Sequence, residues 1–197
     1  MILSREFYHR ETVDVAKDLL GKMIVRVVRG KILSGLIVET EAYRSKDDPG
    51  SHAYRGMTER NSVMFGKVGH SYVYFTYGNH YCLNLVAKDD STAAGATLIR
   101  AIEPLQGIEL MRRFRKTSDI YNLTSGPGRL TKALDIMKHQ NAVDVTKKGE
   151  LYVVEGRRID ESQVIATPRI GIKLGLDKKW RFLITDNSFV SKKFRLY

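Results

Sequence analysis

The chain has 197 residues, 43% of them hydrophobic, and 33 Lys and Arg against 22 Asp and Glu leave a net charge of +11. That length suits one domain over residues 1–197, and the single cysteine, Cys82, excludes an internal disulfide framework and fits a reducing compartment. No secretory signal and no apolar run of spanning length are present, so a soluble intracellular protein is expected, and its charge suits a polyanion, nucleic acid before a membrane surface. A merely solubilising surface charge is the plainer alternative.

Taken in order, Phe7 and Tyr8 offer an apolar anchor, and Thr12 is the expected N-cap of a helix with Val13, Ala16, Leu19 and Leu20 inward, stopped by Gly21. Met23 to Val28 reads as a strand, Arg29-Gly30-Lys31 as a tight turn, and Ile32 to Tyr43 as the returning strand. Its end, Ile37-Val38-Glu39-Thr40-Glu41-Ala42-Tyr43, runs from apolar residues into two acids and an aromatic. Alternation places Glu39, Glu41 and Tyr43 on one side, Thr40 and Ala42 on the other, with the polar end projecting outward. These seven residues fit an active-site mouth and a solvated surface strand equally well.

From Arg44 to Lys67 the chain is polar and irregular, with a turn at Asp47-Asp48-Pro49-Gly50 followed by His52, Arg55, Arg60 and Asn61. A loop of that length in a compact domain is usually functional or disordered, and this one follows directly on the acidic strand. His52 is close enough in sequence to fold back over Tyr43; a solvent-facing histidine is the alternative.

Gly69 to Val86 reads as a hairpin about Gly78-Asn79. A two-residue loop would put Tyr74 and Asn84 on opposite faces. A three-residue loop, Gly78 to His80, pairs Tyr77 with Tyr81 and Tyr74 with Asn84. It gathers Val73, Phe75, Tyr81, Leu83 and Leu85 on one face and Tyr72, Tyr74, Thr76, Cys82 and Asn84 on the other, so the odd-numbered loop is preferred. Tyr77 then sits at the tip, where it lies along its own hairpin or wedges between bases.

After a polar connection, Thr97 to Ile102 is a buried strand interrupted by Arg100, which needs an acidic or hydrogen-bonding partner because an unpaired buried charge is costly. The carboxylates of the second strand are candidates. A helix with Ile108, Leu110, Met111 and Phe114 inward follows. Ser125-Gly126-Pro127-Gly128 opens another, its exposed N–H groups forming a phosphate seat beside Arg129 and Lys132. Strands are expected at Leu151 to Glu155, Thr167 to Ile172 and Arg181 to Thr185, before a basic tail with Lys192, Lys193 and Arg195.

A cysteine-cage zinc site, the zinc-deaminase pattern, a nucleophilic serine elbow and a P-loop are all absent. What survives is a carboxylate that deprotonates water to cleave a glycosidic bond. A base inside a duplex must also be flipped out, stacked on aromatics and replaced by a filler. Glu41, Tyr43, Tyr74 and Tyr77 match those needs in kind.

IVETEAY at 37–43, MFGKVGHSYVYFTYGNHYCLN at 64–84, LIRAIEPLQG at 98–107, SGPGRL at 125–130 and PRIGI at 168–172 resemble, in order and over most of the chain, the alkyladenine (3-methyladenine) DNA glycosylase family. The resemblance implies that Glu41 is the general base and that Arg100 helps hold the water and the carboxylate. It implies a water contact from the Ile170 carbonyl and a base pocket walled by Tyr43, His52 and Tyr74. Tyr77 matches the intercalating residue, and Asn84 the asparagine that discriminates against guanine through its exocyclic amine. Asn79 and His80 depart from better-known relatives, which carry methionine and tyrosine beside the wedge, and the segment between Asn84 and Arg100 is a few residues longer.

The resemblance also implies a monomer acting without metal or cofactor on duplex DNA containing damaged purines (3-methyladenine, 7-methylguanine, hypoxanthine or ethenoadenine), releasing the base without cutting the strand. Two alternatives stand beside it: a catalytically silent DNA-binding module of the same fold, and a carbohydrate glycosidase using Glu39 and Glu41. The latter is disfavoured because two acids on one short strand repel and leave no room for substrate between them. The expected architecture is α+β, a curved, mainly antiparallel sheet with flanking helices and a protruding hairpin over 72–85.

Overall fold

A computed structural model describes residues 1–76 and 78–192. Two short helices, α1 (Arg5–Tyr8) and α2 (Thr12–Asp18), precede the strands β1 (Met23–Val28) and β2 (Lys31–Arg44). After the helical turn α3 (Ser62–Phe65) come β3 (Ser71–Thr76), β4 (His80–Val86) and β5 (Gly95–Gln106). The helices α4 (Ile108–Arg115) and α5 (Pro127–Ala133) lead to β6 (Leu151–Val154), β7 (Val164–Thr167) and β8 (Arg181–Ile184). All eight strands join one sheet of order β3-β4-β5-β2-β1-β6, with β8 pairing β2 and β7, and every pairing is antiparallel. The expected curved α+β architecture is thus present.

β2 is the axis of this sheet. Its first half lies between β1 and β5, and its second half, through Glu39, Thr40 and Glu41, lies between β5 and β8. The acidic end therefore does not project outward as the alternation alone suggested: Glu39 and Glu41 are both 0% exposed. The ladder to β5 is interrupted twice here. Ile37 pairs Ile102 and Glu39 pairs Ala101, which leaves Val38 over; Thr40 pairs Ile99, which leaves Arg100 over. Paired bulges bend a sheet and re-aim side chains. Behind β2, the Thr40 hydroxyl donates to the Ala16 carbonyl at 2.7 Å, so α2 covers the face opposite the acids.

The tight turn before β2 consists of two residues, Arg29 (φ 49°) and Gly30 (φ 73°), between the paired Val28 and Lys31. Two successive positive φ values are what a two-residue hairpin turn requires. The N-cap of α2 is Glu11 rather than Thr12. The Glu11 carboxylate accepts from the N–H groups of Val13 and Asp14, while the Thr12 hydroxyl donates to the Ala87 carbonyl. A longer side chain took the capping role because the shorter one was needed across the core.

In the β3–β4 hairpin, Thr76 pairs His80, Tyr74 pairs Cys82 and Tyr72 pairs Asn84. The closing pair is Thr76 with His80, in place of the expected Tyr77 with Tyr81, so three residues again lie between the closing partners. The two registers have the same parity, so the segregation of faces survives while each cross-strand partner shifts by two. β4 meets β5 only through Asn84, Leu85 and Val86, which leaves the outer part of the hairpin as a two-stranded arm. Tyr77, Lys193 and Arg195 lie outside the described residues. The expected strand over 167–172 is displaced: β7 ends at Thr167, and the residues after Pro168 leave the ladder and turn towards β2.

The crossing of β2 and β5 leaves no room at Gly35, where a Cβ would fall 2.6 Å from the Glu103 carbonyl oxygen and 2.9 Å from Ile102 Cδ1. Replacing Gly35 with Val is expected to cost about 1–3 kcal/mol, the usual range for overpacking. A urea midpoint equal to that of the parent protein would contradict this close approach.

Candidate active site

Five segments supply most of the lining of a cavity of about 250 Å³. β2 contributes Tyr43, and β5 contributes Leu98 and Arg100. The hairpin supplies Tyr72, Tyr74, Cys82 and Asn84 from the face that alternation had grouped. The loop after β2 brings His52, and the turn after β7 brings Ile170, Gly171 and Ile172. Of the residues expected at a site, the cavity gathers Tyr43, His52, Tyr74, His80, Asn84, Arg100 and Ile170.

Glu41 lies immediately behind the cavity wall. Its Oε1 accepts from the Ile170 N–H at 2.7 Å; its Oε2 accepts from the Tyr43 hydroxyl at 2.7 Å and from Arg100 Nη1 at 3.2 Å. All three donors line the cavity. The Ile170 main chain thus meets the carboxylate through its N–H. The bulge at Arg100 lets one guanidinium reach both acids, with Nε donating to Glu39 Oε1 at 2.8 Å. Burial and the neighbouring Glu41 carboxylate push the Tyr43 phenol well above its ordinary value, so it stays a donor.

The two acids have different surroundings. Glu39 is fixed from several sides: by Arg100, by Arg181 Nε at 2.7 Å, and by the Ser191 N–H and hydroxyl at 2.5 and 2.8 Å. Burial acts to raise the Glu39 carboxyl, but the guanidiniums of Arg100 and Arg181 and the Ser191 N–H together hold it below its ordinary value. Glu39 is a structural partner of basic groups.

Sequence reasoning passed over a third buried acid. Asp48, read only as part of a turn, is 0% exposed and forms a two-point pair with Arg169, Nη2 to Oδ1 at 2.5 Å and Nη1 to Oδ2 at 2.6 Å. Arg169 also donates to the Ala42 carbonyl at 2.9 Å, and its guanidinium lies 4.7 Å from the Tyr43 ring centroid and 5.3 Å from that of Trp180. This pair joins the loop carrying His52 to the turn carrying Ile170. The signal was available for Arg181, an arginine opening the apolar run Phe182-Leu183-Ile184; the cost argument applied to Arg100 serves equally there. Arg169 and Asp48 gave no such signal, because both sit in irregular segments.

The aromatic walls are ordered by contacts among themselves. His52 Nδ1 lies 3.1 Å from the Tyr72 hydroxyl, and its ring meets Tyr74 edge-on at 4.6 Å between centroids. His52 is exposed overall, but partial desolvation of its ring, and then the charge of Arg60, lower its pKa, so the imidazole is neutral near pH 7. Burial pushes the Tyr72 phenol up to about 12. The Asn84 amide donates to the Tyr72 carbonyl at 3.0 Å, which fixes this buried side chain in the wall.

The hairpin tip and α5 hold further expected residues. Asn79 is exposed, whereas His80 opens β4 and packs on α5: a Cβ at Gly128 would fall 2.5 Å from its ring. Arg129 is exposed, and its guanidinium donates to the Ser125 carbonyl and hydroxyl at 3.2 and 3.1 Å; Lys132 is exposed on the same short helix. Among the described residues no cluster of His, Cys, Asp or Glu could hold a metal ion, and no helix is long and apolar enough to cross a membrane.

A family model described as methylpurine-DNA glycosylase matches residues 6–188. A protein of Carboxydothermus hydrogenoformans, "Putative 3-methyladenine DNA glycosylase", is 48% identical over 193 residues, covering 98% of this chain and all of that protein. Proteins bearing the same name in Prosthecochloris aestuarii (49% identity; 95% of this chain, 90% of the relative) and Clostridium acetobutylicum (45%; 97% and 98%) are comparably similar.

The Glu39 arrangement has a pH signature. A carboxyl held low in the folded state stabilises it above the unfolded pKa, near 4.5, and that stability is lost as pH falls through the lower folded value. Glu39→Gln is expected to cost about 3–5 kcal/mol at pH 7, the range for breaking a buried pair, with the deficit narrowing below pH 4.5. Urea unfolding over a pH series reads this directly, and a deficit that stays constant with pH would contradict it.

Proposed function

The chain belongs to the methylpurine-DNA glycosylase family, and we propose that it hydrolyses the N-glycosidic bond of damaged purines flipped out of duplex DNA, with Glu41 activating the water. The carrying observation is the Glu41 carboxylate, held at the back of an aromatic cavity by Tyr43, Arg100 and Ile170. An ionised carboxylate has about four lone-pair directions, and three are filled. The fourth is left to accept from a water attacking the sugar C1′.

The chemistry follows from that placement. A purine that has left the stack inserts between Tyr43 and the His52–Tyr74 wall, where π-faces compensate for lost base stacking. As the C1′–N9 bond breaks, its electron pair stays with the base and the sugar takes on oxocarbenium character. Water adds at C1′ and passes its proton to Glu41. Arg100 keeps the acid oriented. Asn84, pinned in the wall, leaves no space for the exocyclic amine of guanine.

Outside the cavity, Tyr77 is the proposed wedge that fills the vacated stack, with Asn79 and His80 beside it. The net charge of +11 supports backbone binding, and Arg129 and Lys132 are the proposed phosphate contacts. The substrates proposed are 3-methyladenine, 7-methylguanine, hypoxanthine and ethenoadenine. The protein is proposed to act as a monomer without metal or cofactor and to leave the strand uncut, since among the described residues no lysine lines the cavity.

Glu41→Gln keeps the shape of the site and removes its base. Single-turnover release of hypoxanthine is expected to fall by at least about a hundredfold, the lower end for general-base removal, while binding to the damaged duplex stays close to that of the parent. Release at the parent rate would refute Glu41 as the base. Tight binding by both proteins with no base released by either would favour the silent binding module.

A further inference from the structure

Arg60 is a cation against the Tyr74 wall that the proposed mechanism does not use. It stands in the loop after β2, with its guanidinium 5.2 Å from the centroid of the Tyr74 ring. Its Nη2 donates to the Phe75 carbonyl at 3.2 Å, which ties it to the hairpin. Among the described residues no acid pairs with it. The guanidinium that lines the cavity itself, Arg100, faces two buried carboxylates and is offset by them. His52 is neutral near pH 7. Among the described residues, Arg60 is thus an uncompensated charge against the aromatic wall.

That charge matters because the proposed substrates fall into two electrostatic classes. 7-Methylguanine and 3-methyladenine in a nucleotide are cationic, and when the C1′–N9 electron pair returns to the base they leave as neutral molecules. Hypoxanthine and ethenoadenine are neutral, and the same bond cleavage places negative charge on the departing base unless it is protonated. A cation fixed beside Tyr74 repels the first class as it enters and attracts the second as it leaves. It also draws on the ring quadrupole of Tyr74, which weakens that wall as a cation–π partner for an alkylated base.

We propose that Arg60 is a specificity-determining residue that tilts this site towards neutral damaged purines over cationic ones. The inference rests on the glycosylase reading above and concerns only the balance between its substrate classes. Because Arg60 is exposed, water and salt screen its field, and the effect is of the size of one partly solvated charge interaction.

The test is internal competition between two duplexes in one tube, one carrying hypoxanthine and the other 7-methylguanine. Competition reads the ratio of kcat/KM values, so any general loss of phosphate binding cancels. In Arg60→Gln the hypoxanthine-to-7-methylguanine ratio is expected to fall by roughly three- to tenfold, and by less at high salt. Arg60→Lys, which keeps the charge, is expected to keep most of the ratio. An unchanged ratio in Arg60→Gln, with both rates reduced together, would show a phosphate contact and overturn the inference alone. An equal fall in both variants would assign the effect to shape rather than charge and overturn it too. Release of neither base by the parent protein would overturn the glycosylase reading and this inference with it.

Discussion

Three carboxylates that see no solvent must be neutralised within the fold, and the site is built from the answer. Glu39, Glu41 and Asp48 are each fully buried, and Arg100, Arg181 and Arg169 are drawn in to meet them. A buried charge without a partner costs several kcal/mol, so none of these six side chains is free to leave alone. They come from five separate stretches of chain, and pairing them fixes where those stretches sit. Glu39 and Arg181 lock β8 against β2. Asp48 and Arg169 lock two irregular loops to each other. Arg100 binds β5 to both acids of β2.

This arrangement explains why the two neighbouring glutamates differ. Glu39 is surrounded by Arg181 and by the backbone and hydroxyl of Ser191, none of which lines the cavity, and shares Arg100 with Glu41. The donors to Glu41 are instead the groups that wall the cavity. One acid anchors this network and the other sits directly behind the cavity wall. The bulge that leaves Arg100 unpaired in the ladder makes this possible, because a regular β5 would turn that guanidinium toward one acid at most.

Much of this was legible in the chain, for identifiable reasons. The β1–β2 hairpin was readable because apolar runs and a glycine turn are local signals, and their pairing depends on nothing distant. The faces of the β3–β4 hairpin were readable because a period of two survives a shift of two residues; the partners were not, since the placement of a three-residue loop is decided by the turn itself. Arg100 announced its need for an acid because it interrupts an apolar strand. Asp48 and Arg169 did not, because an acid in a turn and a basic residue after a proline look solvated until the fold closes over both. The burial of Glu41 was likewise invisible, since it depends on β8 arriving alongside β2 from 140 residues further on.

The central claim is that this buried lattice presents one carboxylate to a flipped purine for hydrolysis. It is tested most directly by incubating the parent protein in excess over duplexes that each carry one modified purine, then measuring free base and strand integrity together. The expected result is release of the modified purine with the strand intact until alkali cleaves the abasic site. Strand cleavage without alkali, or binding without any free base across the whole set, would contradict it.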